Sequence, residues 1–100
     1  MPIALIVDYE IHAGKETAFA DRLREHAKNT LKENPGCLRF EVNIPLDDDG
    51  NRKPGHVILN ELYRDLDTVK EHRKSPRLAK MREDTAPLVV GRVATLCEVL

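Results

Sequence analysis

A chain of 100 residues and 11.4 kDa folds as one domain, because a single hydrophobic core is the usual solution at that size. With 41% hydrophobic and 33% charged residues it is too rich in aliphatics for a disordered tail, and no stretch is apolar over the ~18–20 residues that a membrane span needs. Sixteen basic against seventeen acidic side chains leave a net charge of -1, so no electrostatic excess draws the chain to nucleic acid or anionic lipid. Met1 runs straight into Pro2 and Ile3 without the basic and apolar regions of a signal peptide, so a cytoplasmic location is expected.

From Ile3 to Ile11 the odd positions are apolar, the period of two of a first strand. From Lys15 to about Asn34, Phe19, Leu23, Ala27 and Leu31 recur every four residues, which predicts an amphipathic helix that Asn34-Pro35-Gly36 terminates. Leu38, Phe40, Val42 and Ile44 then alternate with Cys37, Arg39, Glu41 and Asn43 as a second strand. The stretch from Asp47 to Gly55 reads as a solvated turn. Its three contiguous aspartates lack the alternating ligands and closing Glu of a calcium loop.

A third strand runs from His56 to Arg64, with Val57, Leu59, Glu61 and Tyr63 on one side and Ile58, Asn60 and Leu62 on the other. Asp65 or Asp67 caps the helix that follows, and Ser75-Pro76 starts a second helical piece. After Pro87 and Gly91, Arg92 to Leu100 reads as a fourth strand. This order predicts an α+β, ferredoxin-like βαββαβ fold with helices over one face of a four-stranded antiparallel sheet. The opposite face keeps apolar residues such as Ala4, Ile6, Ile58 and Leu62, so a homodimer joined through the sheet faces is expected.

The chain has no zinc-type histidine spacing, no glycine-rich phosphate cradle and no nucleophile elbow, so neither a metal nor an organic cofactor is expected. Cys37 and Cys97 are read as reduced strand residues, and His12, His26 and His56 as surface residues. The chemistry-bearing residues concentrate in Leu59-Asn60-Glu61-Leu62-Tyr63-Arg64-Asp65 and Glu71-His72-Arg73-Lys74-Ser75-Pro76, together with Pro35-Gly36-Cys37-Leu38-Arg39-Phe40.

These segments resemble the antibiotic biosynthesis monooxygenase family of dimeric α+β barrel proteins. The nearest likenesses are members assigned as quinol monooxygenases and the related enzyme that processes phosphorylated autoinducer-2. The P-G-C-x-x-[FY] element matches Pro35 to Phe40, the E-x-[YWF] element matches Glu61 and Tyr63, and the H-x-x-[ST]-P element matches His72, Ser75 and Pro76. Arg77 stands where many relatives carry a second histidine.

The resemblance implies a cofactor-independent oxidation of a small phenolic or quinol substrate by molecular oxygen, in a pocket between helices and sheet. An imidazole and a neighbouring cation suit the removal of a phenolic proton and the stabilisation of the anion left behind, tasks for His72 with Arg73 or Arg39, and an acid at Glu61 could hold His72 or a substrate hydroxyl, so His72 and Glu61 are the candidate catalytic residues. Tyr63, Arg39 and Arg73 are the candidate substrate-binding residues. A carboxylate beside Val57 and Leu59 must be hydrogen-bonded or shifted toward its neutral form. The competing reading is a non-catalytic ligand-binding or dimerising module of the same fold; an isomerase of a small enolisable metabolite and a haem-binding protein are further alternatives.

Overall fold

A computed structural model describes all 100 residues, Met1–Leu100. The elements run β1 (Ile3–Ile11), α1 (Glu16–Glu33), β2 (Cys37–Asn43), β3 (His56–Tyr63), α2 (Leu66–Arg73), α3 (Pro76–Thr85) and β4 (Val89–Glu98), with a short 3-10 turn at Ala86–Leu88 before β4. All pairings are antiparallel and the strands lie in the order β2-β3-β1-β4. This is the ferredoxin-like arrangement that the element order predicts.

The alternation in β1 carries through to packing: Ile3, Leu5, Val7, Tyr9 and Ile11 are all buried. Their register partners on β3 include Tyr63, Glu61, Leu59 and Val57, so the same face of both strands meets the helices. Helix α1 covers β2 and β3 and packs against α3. Its buried residues are Phe19, Leu23, His26, Ala27 and Thr30. Leu31, expected in that stripe, is exposed instead. A spacing of four overshoots the helical repeat by about 40° per step, so the fourth residue of the series has rotated out of the inward arc and Thr30 takes its place.

Strict alternation also fails at β2, where Cys37 and Phe40 are both buried while Leu38 is exposed. The register shifts between Cys37 and Arg39, and this bulge turns both residues of opposite parity inward. Gly36, just before it, has no room for a side chain, since a Cβ there would lie 2.5 Å from Thr68 Oγ1. The absence of a side chain thus lets α2 close on the start of β2.

Helices α2 and α3 start as their capping residues predict. Asp65 Oδ1 accepts from the Thr68 N–H at 2.9 Å, and Ser75 Oγ accepts from the Arg77 N–H at 3.2 Å. Strand β4 begins three residues before the expected Arg92, because Gly91 lies within it opposite Glu10, beside a register shift at Glu10/Ile11. It is an edge strand, and the helices leave its inner face largely open.

Candidate functional site

Glu61 points inward from the middle of β3, and it sits among apolar neighbours because the strand's alternation places it in line with Val57, Leu59 and Tyr63. Only 3% of it is exposed. Its Oε1 accepts a hydrogen bond from the Tyr63 hydroxyl at 2.5 Å, two residues along the same face. His72, from the last turn of α2 and 5% exposed, brings its Nε2 to 4.0 Å from the same oxygen. The Tyr63 and His72 rings lie 5.6 Å apart.

Burial pushes the Glu61 carboxyl up to about 7, with the Tyr63 hydrogen bond and the charge of Arg82 pulling the other way. Burial pulls His72 down to about 4, helped by the positive charges of Arg77, Arg82 and Arg73. His72 is therefore neutral at pH 7, and its approach to Glu61 is a contact between a neutral imidazole and a half-titrated carboxyl rather than an ion pair. Tyr63 is driven well above the ordinary phenol range by burial and by the Glu61 charge, so it stays a donor. Of the three groups, Glu61 is the one placed to take a proton near neutrality.

His26 joins them from α1. It is fully buried, not on the surface as its sequence setting suggested, and its ring centroid is 5.6 Å from that of His72 and 5.7 Å from that of Phe40. Its Nε2 lies 3.5 Å from the Thr30 hydroxyl, whereas Nδ1 has no partner. Burial holds it at about 4, with the nearby His72 adding to the effect. Its helical position carried the signal: it is three residues from Leu23 and four from Thr30, inside the inward arc. His56 is half-buried and its Nδ1 meets Asp8 Oδ1 at 2.9 Å on the other side of the sheet, while His12 is exposed as expected.

Glu61, His72 and His26 line a cavity of about 90 Å³ between sheet and helices, with Phe40, Tyr9 and Met81 among its walls. Arg73, Arg82 and Arg92 also border it. Tyr9, Arg82 and Arg92 border in turn an open groove of about 320 Å³, with Thr85, Val89 and Gly91 on its far side. The inner chamber therefore opens past two arginines at the uncovered inner face of β4.

The expected site residues divide. Glu61, His72 and Arg73 come together at the chamber. Tyr63 stands behind Glu61 and holds it rather than lining the space. Arg39 is not brought there: it pairs with Leu62 across the ladder and lies exposed on the outer sheet face. The bulge that turns Phe40 inward leaves Arg39 outside, and beside Arg73 the cations bordering the chamber are Arg82 and Arg92. Arg77 does not line the chamber either, but sits behind His72 in a separate crevice, with its Nη1 3.3 Å from Glu33 Oε2. His26, by contrast, lines the chamber as a second imidazole beside His72.

Comparison with known proteins bears on the family and the fold. Residues 2–84 match the family model described as antibiotic biosynthesis monooxygenase. No curated protein matches the chain in sequence. Among solved structures, Rv0793 of Mycobacterium tuberculosis is 24% identical over 100% of this chain and 96% of its own, with a TM-score of 0.80. A Caulobacter crescentus protein provisionally titled an antibiotic biosynthesis monooxygenase superposes with a TM-score of 0.87 at 18% identity, over 99% of this chain and 90% of its own. A Bacteroides fragilis protein, titled dimeric and ferredoxin-like, gives a TM-score of 0.80 at 14% identity, over 98% and 96%. The likenesses establish the shared fold, and the family match across most of the sequence establishes descent: the chain belongs to the antibiotic biosynthesis monooxygenase family.

Proposed function

We propose that the protein oxidises a small phenol or quinol with molecular oxygen, without a metal or organic cofactor. The observation that carries this reading is the buried Glu61 carboxyl, poised near neutrality, hydrogen-bonded by Tyr63 and facing His72 at the inner end of an apolar chamber. A base works best with a pKa near the operating pH, and Glu61 meets that condition where His72 does not. Glu61 takes the ring hydroxyl proton. Neutral His72 donates to the phenolate oxygen and holds it against the chamber wall.

The phenolate gives an electron to oxygen, and the two radicals join at a ring carbon. Loss of water from the resulting hydroperoxide leaves a carbonyl. Phenol plus O2 becomes quinone plus water, so one oxygen atom enters the product and the substrate supplies all four electrons. The arginines at the chamber mouth favour the anion that reacts. The chamber alone is smaller than the ~300 Å³ of ordinary ligand pockets, so the reacting edge enters it while the rest of the ring system occupies the groove beside Arg82 and Arg92.

We also infer that two copies associate through their outer sheet faces, where Ile6, Ile58, Leu62 and Val93 leave apolar surface beside polar neighbours; Val93 is 69% exposed. The dimeric Bacteroides relative supports this reading. Oxygen-electrode recordings with reduced naphthoquinones test the reaction: faster uptake is expected with the protein than with His72→Ala. Equal rates would favour a second reading, a ligand-binding module without turnover, to which the small chamber lends its support.

A further inference from the structure

Three guanidiniums, those of Arg73, Arg82 and Arg92, gather around the chamber. Seven close contacts between basic and acidic side chains occur in the chain, and none involves Arg73, Arg82 or Arg92. Asp84, two residues from Arg82, is already engaged by Arg22 and Lys80, each at 3.0 Å. In a chain of net charge -1, three guanidiniums around one small chamber, two of them at its junction with the groove, are a local concentration of positive charge.

Their placement is fixed by the fold. Arg82 follows the buried Met81 on α3, and Arg92 faces Tyr9 across the β1–β4 ladder on the inner side of the sheet. Both border the inner chamber and the outer groove, so anything that reaches Glu61 from that groove passes them. The field of Arg82 extends inward as well, since its charge acts on Glu61, His72 and His26 alike.

We propose that the substrate carries a permanent anionic group, a carboxylate on its ring system, which Arg82 and Arg92 hold at the junction of groove and chamber while the adjacent ring hydroxyl enters toward Glu61. This deepens the reading of the site given above and rests on it for the chemistry, though not for the binding. A planar guanidinium matches a carboxylate with two parallel hydrogen bonds, and two such groups at a narrow opening fix both position and orientation. Arg73, at the α2 side of the same chamber, adds charge without bordering the groove.

A matched pair of fluorescent probes, titrated under nitrogen so that no oxygen is present for turnover, separates binding from reaction: 1-hydroxy-2-naphthoate and 1-naphthol, the same ring with and without a carboxylate. Fluorescence titration is expected to give at least tenfold tighter binding of the naphthoate, weakening as salt is raised, and a preference reduced to within about twofold in an Arg82→Gln/Arg92→Gln variant. Arg64→Gln, exposed elsewhere on the surface, is expected to leave the preference intact. Equal affinities for the two probes in the unmodified protein, or a preference that survives the double substitution, would overturn the proposal. A tenfold preference together with no oxygen uptake from any quinol would leave the anion site standing and remove the oxidative reading instead.

Discussion

Glu61→Gln isolates the electrostatics of the buried cluster, because the amide oxygen still accepts from Tyr63 while the titrating proton is gone. The two imidazoles and the carboxyl act on stability with opposite signs. His26 and His72 drop from 6.5 to about 4 on folding, so the stability of their neutral forms is present above pH 6.5 and is lost as pH falls toward 4. Glu61 rises from 4.5 to about 7, so its contribution is complete below pH 4.5 and is lost as pH rises through 7. Between pH 4.5 and 6.5 the unfolded chain binds two more protons at the histidines and one fewer at the carboxyl. Acidification therefore weakens the fold by the equivalent of one proton, about 1.4 kcal/mol per pH unit. In Glu61→Gln the opposing proton is absent, and the slope doubles to about 2.7 kcal/mol per pH unit. Urea unfolding followed by far-ultraviolet circular dichroism across that window measures both slopes, with Glu41→Gln on the exposed face of β2 as the control. Parallel curves for the parent and Glu61→Gln would refute the assignment of a neutral-range carboxyl and two neutral imidazoles.

Other expectations follow from single contacts. His26→Leu, which removes one of the two depressed imidazoles and its unpartnered Nδ1, is expected to flatten the same acid slope to near zero in the same urea titrations. Gly36→Ala forces a methyl against the Thr68 side chain and is expected to lose about 1–3 kcal/mol in denaturant titration, a loss that Gly36→Ala/Thr68→Ser relieves in part because it removes a methyl from the crowded side chain. Ile6→Asp places a charge on the outer sheet face and is expected to turn a dimer into a monomer by light scattering at micromolar concentration, with the secondary structure retained.

The sheet and its helices were legible because β1 and β3 alternate without interruption and because Asp65 and Ser75 satisfy the first turns of α2 and α3. Parity failed where a strand departs from a regular ladder. The bulge at Cys37/Arg39 sends Phe40 inward and Arg39 outward, and the shift at Glu10/Ile11 accommodates Gly91 inside β4. Glu61 and His72 stood out as polar residues in apolar or motif-bearing settings, and the dilemma foreseen for a carboxylate on that face is met in both ways, by a hydrogen bond and by a raised pKa. Arg82 and Arg92 were not legible, since each looks like any surface cation until the topology sets α3 beside the open face of β4. A fixed spacing of four along α1 does not mark His26, which belongs to its inward arc together with Leu23 and Thr30.

Oxygen consumption by a reduced naphthoquinone, recorded against pH for the parent protein and for Glu61→Gln, addresses the proton-accepting role of Glu61 without intermediaries. The expected result is a rate that climbs through an apparent pKa near 7 in the parent and falls by about 100-fold or more, with that climb gone, in Glu61→Gln. A variant that keeps the parent rate and the same pH profile would contradict it.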